Sequence, residues 1–380
     1  MLEVGRLVHS LVEVFEPPGR WLFVKVVVLI FCLSAVGRIL PWKPRRSKRN
    51  KKKSKPALVA RYGAAAALLA CGVTGATVVV SRADTAFVTY EHRPARAVLA
   101  ANVNSYLGVF EPGVPSSFRP VQAFARATRT RPGIVLYYSA WGSPFQTDFA
   151  RTAYQAHAVT LVQLMPTSPG VSLAAIVSGK YDHYLDAFAQ AVRSFRHGII
   201  IGFAPEMNGN WWSYGYGNTA PATWVAAWRH VVNIFRANGA DNVTWLWTPS
   251  KIFRGSGPLT QYWPGKNYVT WVGIDAYFVP TEHQFGKVIG PTLAEVRHIT
   301  SDPVIISETG IAPKAGRVRT LRQLFAGVRA DGLLGFVYFD ANQANAADYQ
   351  YRWRLEDSPA AVAEYSRLAR SRQKTSAARP

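Results

Sequence analysis

Residues 202–212 read Gly-Phe-Ala-Pro-Glu-Met-Asn-Gly-Asn-Trp-Trp, directly after the apolar run Gly198-Ile199-Ile200-Ile201. Residues 303–310 read Pro-Val-Ile-Ile-Ser-Glu-Thr-Gly. Each stretch starts as a β-branched, apolar strand and reaches a glutamate, Glu206 or Glu308, where the strand gives way to a loop. A carboxylate at the C-terminal end of a strand, repeated on a second strand, is how a (β/α)8 barrel assembles a catalytic pair. Two carboxylates flanking one bond are what glycosidic hydrolysis requires, and a retaining mechanism places them about 5–5.5 Å apart. Trp211 and Trp212, just past the first glutamate, suit stacking on a sugar ring. The competing reading is two strand-end acids satisfied by a helix N-terminus or a salt bridge.

Outward from these stretches the chain alternates strand and helix patterns, the signature of a parallel α/β sheet. Strands are predicted at 106–110, 133–138, 158–164, 198–204, 242–247, 270–275, 303–307 and 334–339. Most are short, continuous apolar runs, as expected of strands buried on both faces. Residues 181–195 carry Tyr184, Leu185, Phe188, Val192 and Phe195 on one helical stripe, and 221–238 do the same with Trp224, Val225, Trp228, Val231, Val232 and Phe235. The last two helices are placed at 317–329 and 359–370. Eight strand–helix units in about 270 residues match one (β/α)8 TIM barrel, with Glu206 after strand 4 and Glu308 after strand 7.

The barrel is assigned to 102–370, preceded by a linker at 82–101 and followed by a basic tail at 371–380. Residues 1–81 are of another kind. Apolar runs at 21–40 and 57–80 approach the length that spans a bilayer. Between them, 43–55 holds nine Lys/Arg in thirteen residues. A basic block of this sort stays cytoplasmic, so an N-terminal membrane-associated segment delivers the barrel to the cell exterior. A secretory signal and a lipoprotein site at Cys71 are the alternatives, and both also place the barrel outside.

The chain has a net charge of +22, which first points to nucleic acid or an anionic membrane. Residues 1–97 hold 17 Lys/Arg against 5 Asp/Glu, and over the barrel the excess is thinly spread. No basic, aromatic-interleaved motif occurs there, so no nucleic-acid partner is expected. The only cysteines, Cys32 and Cys71, lie in the N-terminal segment. No H-E-x-x-H spacing or Walker loop is present, so neither metal nor cofactor is expected.

Further polar and aromatic residues sit at the predicted strand ends: Trp141, the Thr244–Pro249 run, Asp275, Tyr277 and Asp340. Trp245 and Trp247 share one face and read as core. The Tyr277 phenol is in a position to hydrogen-bond Glu308 from the neighbouring strand, with packing against Phe278 as its alternative. Asp275 reads as a structural acid. Asn208 and Trp141 complete the candidate substrate-binding set with Trp211, Trp212 and Tyr277.

Glu206-Met207-Asn208-Gly209 with its following Trp, Thr244-Trp245-Leu246-Trp247-Thr248-Pro249, Tyr262-Trp263-Pro264-Gly265, Val272-Gly273-Ile274-Asp275-Ala276-Tyr277 and Ser307-Glu308-Thr309-Gly310 occur in that order. Together, over roughly 102–370, they resemble glycoside hydrolase family 26, best known for endo-β-1,4-mannanases among the clan-A retaining hydrolases. The resemblance implies acid/base for Glu206, nucleophile for Glu308 and a nucleophile contact for Tyr277. It implies a β-linked polysaccharide, β-mannan-like or related, as substrate. Transglycosylation or glycan binding without catalysis on the same barrel are the alternatives. One departure stands out. Pro205 occupies the place where family members usually have histidine, which argues for poor action on mannan. Proline favours an extended conformation in the residue before it, so Ala204 is expected to continue strand 4 and deliver Glu206 into the cleft.

Overall fold

The computed structural model describes residues 99–312, 315–342 and 352–377. The N-terminal segment with its basic block, and nearly all of the linker, lie outside the described residues. Among the described residues no helix is long and apolar enough to cross a membrane.

Eight parallel strands close into a barrel in sequence order. They are β1 Tyr106–Phe110, β2 Ile134–Ala140, β3 Val159–Met165, β4 Ile199–Phe203, β5 Val243–Trp247, β6 Trp271–Asp275, β7 Val304–Thr309 and β8 Gly335–Phe339. The ring is completed by β1 pairing with β8 over its whole length. Side chains alternate across each strand. One set points inward, where Ile134, Leu136, Leu161, Ile200, Leu246, Trp271, Ile305, Leu334 and Val337 form a closed inner core. The other set points to the helices.

Helices α1 Arg119–Thr128, α2 Thr147–Gln155, α3 Leu173–Val177, α4 Asp182–Phe195 and α5 Pro221–Ala237 occupy the first half of the outer layer. Helices α6 Phe285–Val288, α7 Gly290–Ile299, α8 Arg317–Ala330 and α9 Pro359–Ala377 occupy the second. The stripe on α4 is buried at Leu185, Phe188, Val192 and Phe195, each such side chain contributing roughly 1.5–3 kcal/mol. On α5, Trp228 and Phe235 pack edge-on against Trp245 of β5 at 6.3 and 5.1 Å. Trp247 is fully buried and its indole N–H donates to the Tyr262 carbonyl at 3.0 Å. Both strand-5 tryptophans are therefore core, as their spacing predicts.

Helix α9 runs to Ala377, well into the stretch read as a tail. Its Arg, Gln, Lys and Ala residues are strong helix formers, and charge alone masked that propensity. Arg372 folds back to donate to the Ser105 carbonyl just before β1 at 3.0 Å.

Candidate active site

The two acids are delivered to the C-terminal end of the barrel by two different breaks in regular strand geometry. After β4, Ala204 and Glu206 both take positive φ, 45° and 57°. Ala204 is thus left-handed rather than extended, contrary to the expectation from Pro205. Conformations of this kind cost on the order of 1–3 kcal/mol each and persist only where the surroundings over-determine them. They do so here. The Ala204 N–H donates to Leu164 and its carbonyl accepts from the Trp224 indole. The Pro205 carbonyl accepts from the Tyr214 hydroxyl, and the Glu206 N–H donates to Thr248 at 2.7 Å. Every polar backbone atom of the kink between the Ala204 N–H and the Glu206 N–H has a partner, so tertiary packing overrides the preference of the residue preceding proline.

On β7 the device is a bulge. Gly273 pairs with Ile305 but Asp275 pairs with Glu308, and on the other side Ile306 pairs with Phe336 but Thr309 with Tyr338. One extra residue of β7 is absorbed against both neighbours. Ile305 and Ser307 point inward, so strict alternation would turn Glu308 away from the barrel axis. The bulge re-aims it. Gly273 permits this crowding, since a Cβ there would lie 2.3 Å from the Ser307 Oγ.

Four residues stand out by exposure. Glu206 is the one residue between Ala204 and Gly209 that reaches solvent, and Glu308 the one between Val304 and Gly310. Tyr138 on β2 and Tyr277 just past β6 break their buried runs in the same way. Both phenols donate to Glu308, Tyr277 to Oε1 and Tyr138 to Oε2. Glu206 has a different donor set. The indole N–H groups of Trp211 and Trp212 both donate to its Oε2, at 2.8 and 3.1 Å. Among the described residues no donor reaches its Oε1.

Burial pushes the Glu206 carboxyl above its usual range, with the two indoles acting against it. Burial pushes Glu308 up to about 8, and hydrogen bonds from two phenols favour its ionised form. Burial, then the charges of Asp275 and Glu206, keep the Tyr277 phenol protonated and therefore a donor. Asp275 is fully enclosed. Burial and the Glu206 charge raise its carboxyl well above the usual range, and it accepts from Ser307 Oγ at 2.6 Å. It is structural, as its sequence position suggested, with the Ser307 side chain as its partner.

Two expected substrate-binding residues face elsewhere. Asn208 is fully buried; its Oδ1 accepts from the Ser250 N–H at 2.9 Å and its Nδ2 donates to the Ser250 carbonyl at 3.0 Å. It ties the loop after β4 to the loop after β5. Trp141 is buried between Tyr181, Tyr184 and Phe203, with ring centroids 5.1–5.9 Å away, and serves as core at the mouth of β2. Trp211 is 47% exposed and tilted against Phe253, while its N–H holds Glu206. Asp340 lies at the β1–β8 seam, where its N–H donates to the Phe110 carbonyl and its Oδ1 accepts from the Leu355 N–H. Tyr138 escaped the sequence reading. The signal was available in the inward alternation of Ile134, Leu136 and position 138 along β2.

A closed parallel barrel with two solvent-reaching glutamates at its C-terminal end, each held by aromatic donors, defines an enzyme-type cleft of the (β/α)8 class. Residues 146–313, a span that includes Glu206, Tyr277 and Glu308, match the sequence model of "Glycosyl hydrolase family 26". Over that span the chain is similar to glycoside hydrolase family 26. Endoglucanase H of Acetivibrio thermocellus is 27% identical over 271 residues, 67% of this chain and 29% of its own. A β-1,3-xylanase of Vibrio sp is 29% identical over 151 residues, 37% of this chain and 32% of its own. The chain thus spans about a third of the length of these curated relatives. Among solved structures, an endo-β-1,4-mannanase double mutant of Cellulomonas fimi superposes with a TM-score of 0.55 at 16% identity, over 70% of each chain. That likeness is one of fold.

Proposed function

We propose that the barrel is a retaining glycoside hydrolase of β-linked polysaccharide, working by double displacement. The observation that carries this reading is the unequal donor sets of the two glutamates. Both oxygens of Glu308 accept from phenols, so a proton on either would displace a donor, and these hydrogen bonds favour the anion against the burial that raises the carboxyl. Glu206 takes both of its donors on one oxygen, which leaves the other to carry a proton. Glu308 accordingly attacks the anomeric carbon while Glu206 protonates the departing oxygen. Glu206 then takes a proton from water as it attacks the glycosyl-enzyme. The unprotonated and protonated members of such a pair are separated by environment. No metal takes part in these steps.

The substrate class rests on relatives whose names give a glucan, a β-1,3-xylan and a 1,4-β-mannan. A panel of these three glycans together with native envelope glycan, read by proton NMR for the anomer released first, tests the proposal. The first product should have the configuration of the bond cleaved. Release of the inverted anomer, or no cleavage anywhere in the panel, would sink it. Mannan should be the poorest of the cleaved substrates, because Pro205 supplies no imidazole to the cleft.

In place of that imidazole, the two phenols orient Glu308. Tyr277→Phe and Tyr138→Phe should each lower kcat by at least ~10-fold, about 1.4 kcal/mol of barrier, with KM little changed. Unimpaired kcat in both variants would show that Glu308 needs neither. The proposal also keeps the barrel outside the cell, tethered through the apolar run at 57–80. Protease added to intact cells should then digest the barrel and spare the 43–55 block, whereas a protected barrel would contradict the tether.

A further inference from the structure

A second group of acids sits at the seam where the barrel closes. Glu111 follows β1 and Asp340 follows β8, and the parallel pairing of Phe110 with Phe339 sets the two side by side. Glu356 joins them from the short 3-10 helix Leu355–Asp357. One carboxylate oxygen from each lies within 4.8 Å of the other two. Glu111 is 4% exposed and Asp340 0%, so two of the three are sealed from solvent. Asp340 uses one oxygen to accept the Leu355 N–H at 2.5 Å. Glu111 Oε1, Asp340 Oδ2 and Glu356 Oε2 are buried with no hydrogen-bond donor among the described residues. Arg354, 3.9 Å from Glu356, is the neighbouring cation.

Three carboxylates against one guanidinium leave the cluster short of two positive charges. Buried, unpaired charge of this size costs several kcal/mol per ion unless something neutralises it. We propose that Glu111, Asp340 and Glu356 bind one divalent cation through hard oxygen ligands, with calcium the best fit, and so clamp β1, β8 and the return segment to α9. Three oxygens within 4.8 Å of one another can converge on one ion at close to the 2.3–2.6 Å that calcium prefers. Water would complete the coordination. Without a cation, burial pushes Glu111 up to about 8 and Asp340 up to about 10. The competing arrangement is therefore a pair of carboxyl groups sharing protons.

The clamp bears on the cleft through two aromatic rings. Phe110 and Phe339, immediately before the two ligands, stack at 4.6 Å. Phe110 packs edge-on to Tyr138 at 5.2 Å and Phe339 to Tyr277 at 6.0 Å. The cation would fix the seam beneath both phenols that hold Glu308.

The full chain, stripped with EDTA, is titrated separately with calcium, magnesium and manganese, and followed by calorimetry and thermal unfolding. Calcium should bind once per chain, and 1 mM should raise Tm by at least about 3 °C. Glu111→Gln and Asp340→Asn should remove the rise. Glu356→Gln, at the half-buried ligand, should weaken calcium at least about 10-fold. If the first two variants fail to fold, the wild-type titration and Glu356→Gln still decide. No binding of any of the three ions to the wild type, or binding undiminished in the folded variants, would overturn the site in favour of the proton-sharing pair.

Discussion

Glu308→Ala is expected to reduce turnover by at least about 10^4-fold while leaving the fold intact. Losses of that order follow when the nucleophile of a covalent mechanism is removed and only binding and the remaining groups act on the substrate. The fold should survive because Glu308 is the one solvent-reaching residue of β7. Its removal strands no buried donor except the two phenols, and both of these reach the cleft. The bulge itself is held by the pairing of Asp275 and Thr309 with their neighbours and by the Ala276 N–H to the Glu308 carbonyl at 2.9 Å, all of it backbone. Circular dichroism and Tm check the fold, and turnover on the best glycan of the panel checks the chemistry. A second readout guards against a trivial loss. Azide or formate should enter the space vacated by the carboxylate and restore cleavage of an activated aryl glycoside, with a product of inverted configuration. A variant that keeps even one tenth of wild-type turnover would remove Glu308 as nucleophile and, with it, the double-displacement reading.

The alternation that makes a barrel was plain in the chain because most strands are buried on both faces and therefore read as continuous apolar runs. Predicted and observed strand limits differ by no more than two residues. The positions of Glu206 and Glu308 at strand ends followed from the same pattern. What the pattern does not encode is departure from it. The left-handed turn at Ala204 depends on a tryptophan of α5 and a carbonyl of β3, partners supplied only by the closed barrel. Asn208 sits in a motif beside the acid, yet its amide is spent on Ser250, 42 residues away. Trp141 occupies a loop position like that of a ligand platform, and aromatic neighbours from α4 bury it. Glu111 and Asp340 are distant in sequence and become neighbours solely because β8 closes on β1. Single strands therefore show where a side chain begins, and tertiary closure decides what it meets.

Glu206→Ala should divide substrates by leaving group. On a polysaccharide, whose departing sugar hydroxyl needs a proton, loss of the general acid is expected to cost about 10^2–10^4-fold in kcat. On an aryl glycoside with an acidic phenol as leaving group, the glycosyl-enzyme should still form at close to the wild-type rate. Its hydrolysis should then become rate-limiting, because no base activates water. A burst of phenol followed by a slow steady state is the expected trace, with KM falling as the intermediate accumulates. Azide should restore turnover and give a glycosyl azide of retained configuration, the opposite outcome to that at Glu308. The pH profile supplies the independent check. Burial raises the Glu206 carboxyl above its usual range, so the wild type should lose activity as pH climbs through that raised value. The acid limb belongs to ionisation of Glu308, and the two limbs report macroscopic values of the pair. In Glu206→Ala the alkaline limb should vanish on the activated substrate while the acid limb persists. The two indoles make this result sharper. Trp211 and Trp212 donate to the same oxygen of Glu206, so Glu206→Gln, which keeps an oxygen for them and cannot ionise, should fold like the wild type and behave kinetically like the alanine variant. Equal losses on both leaving groups, or an alkaline limb that survives in both variants, would place the proton on some other group in the cleft.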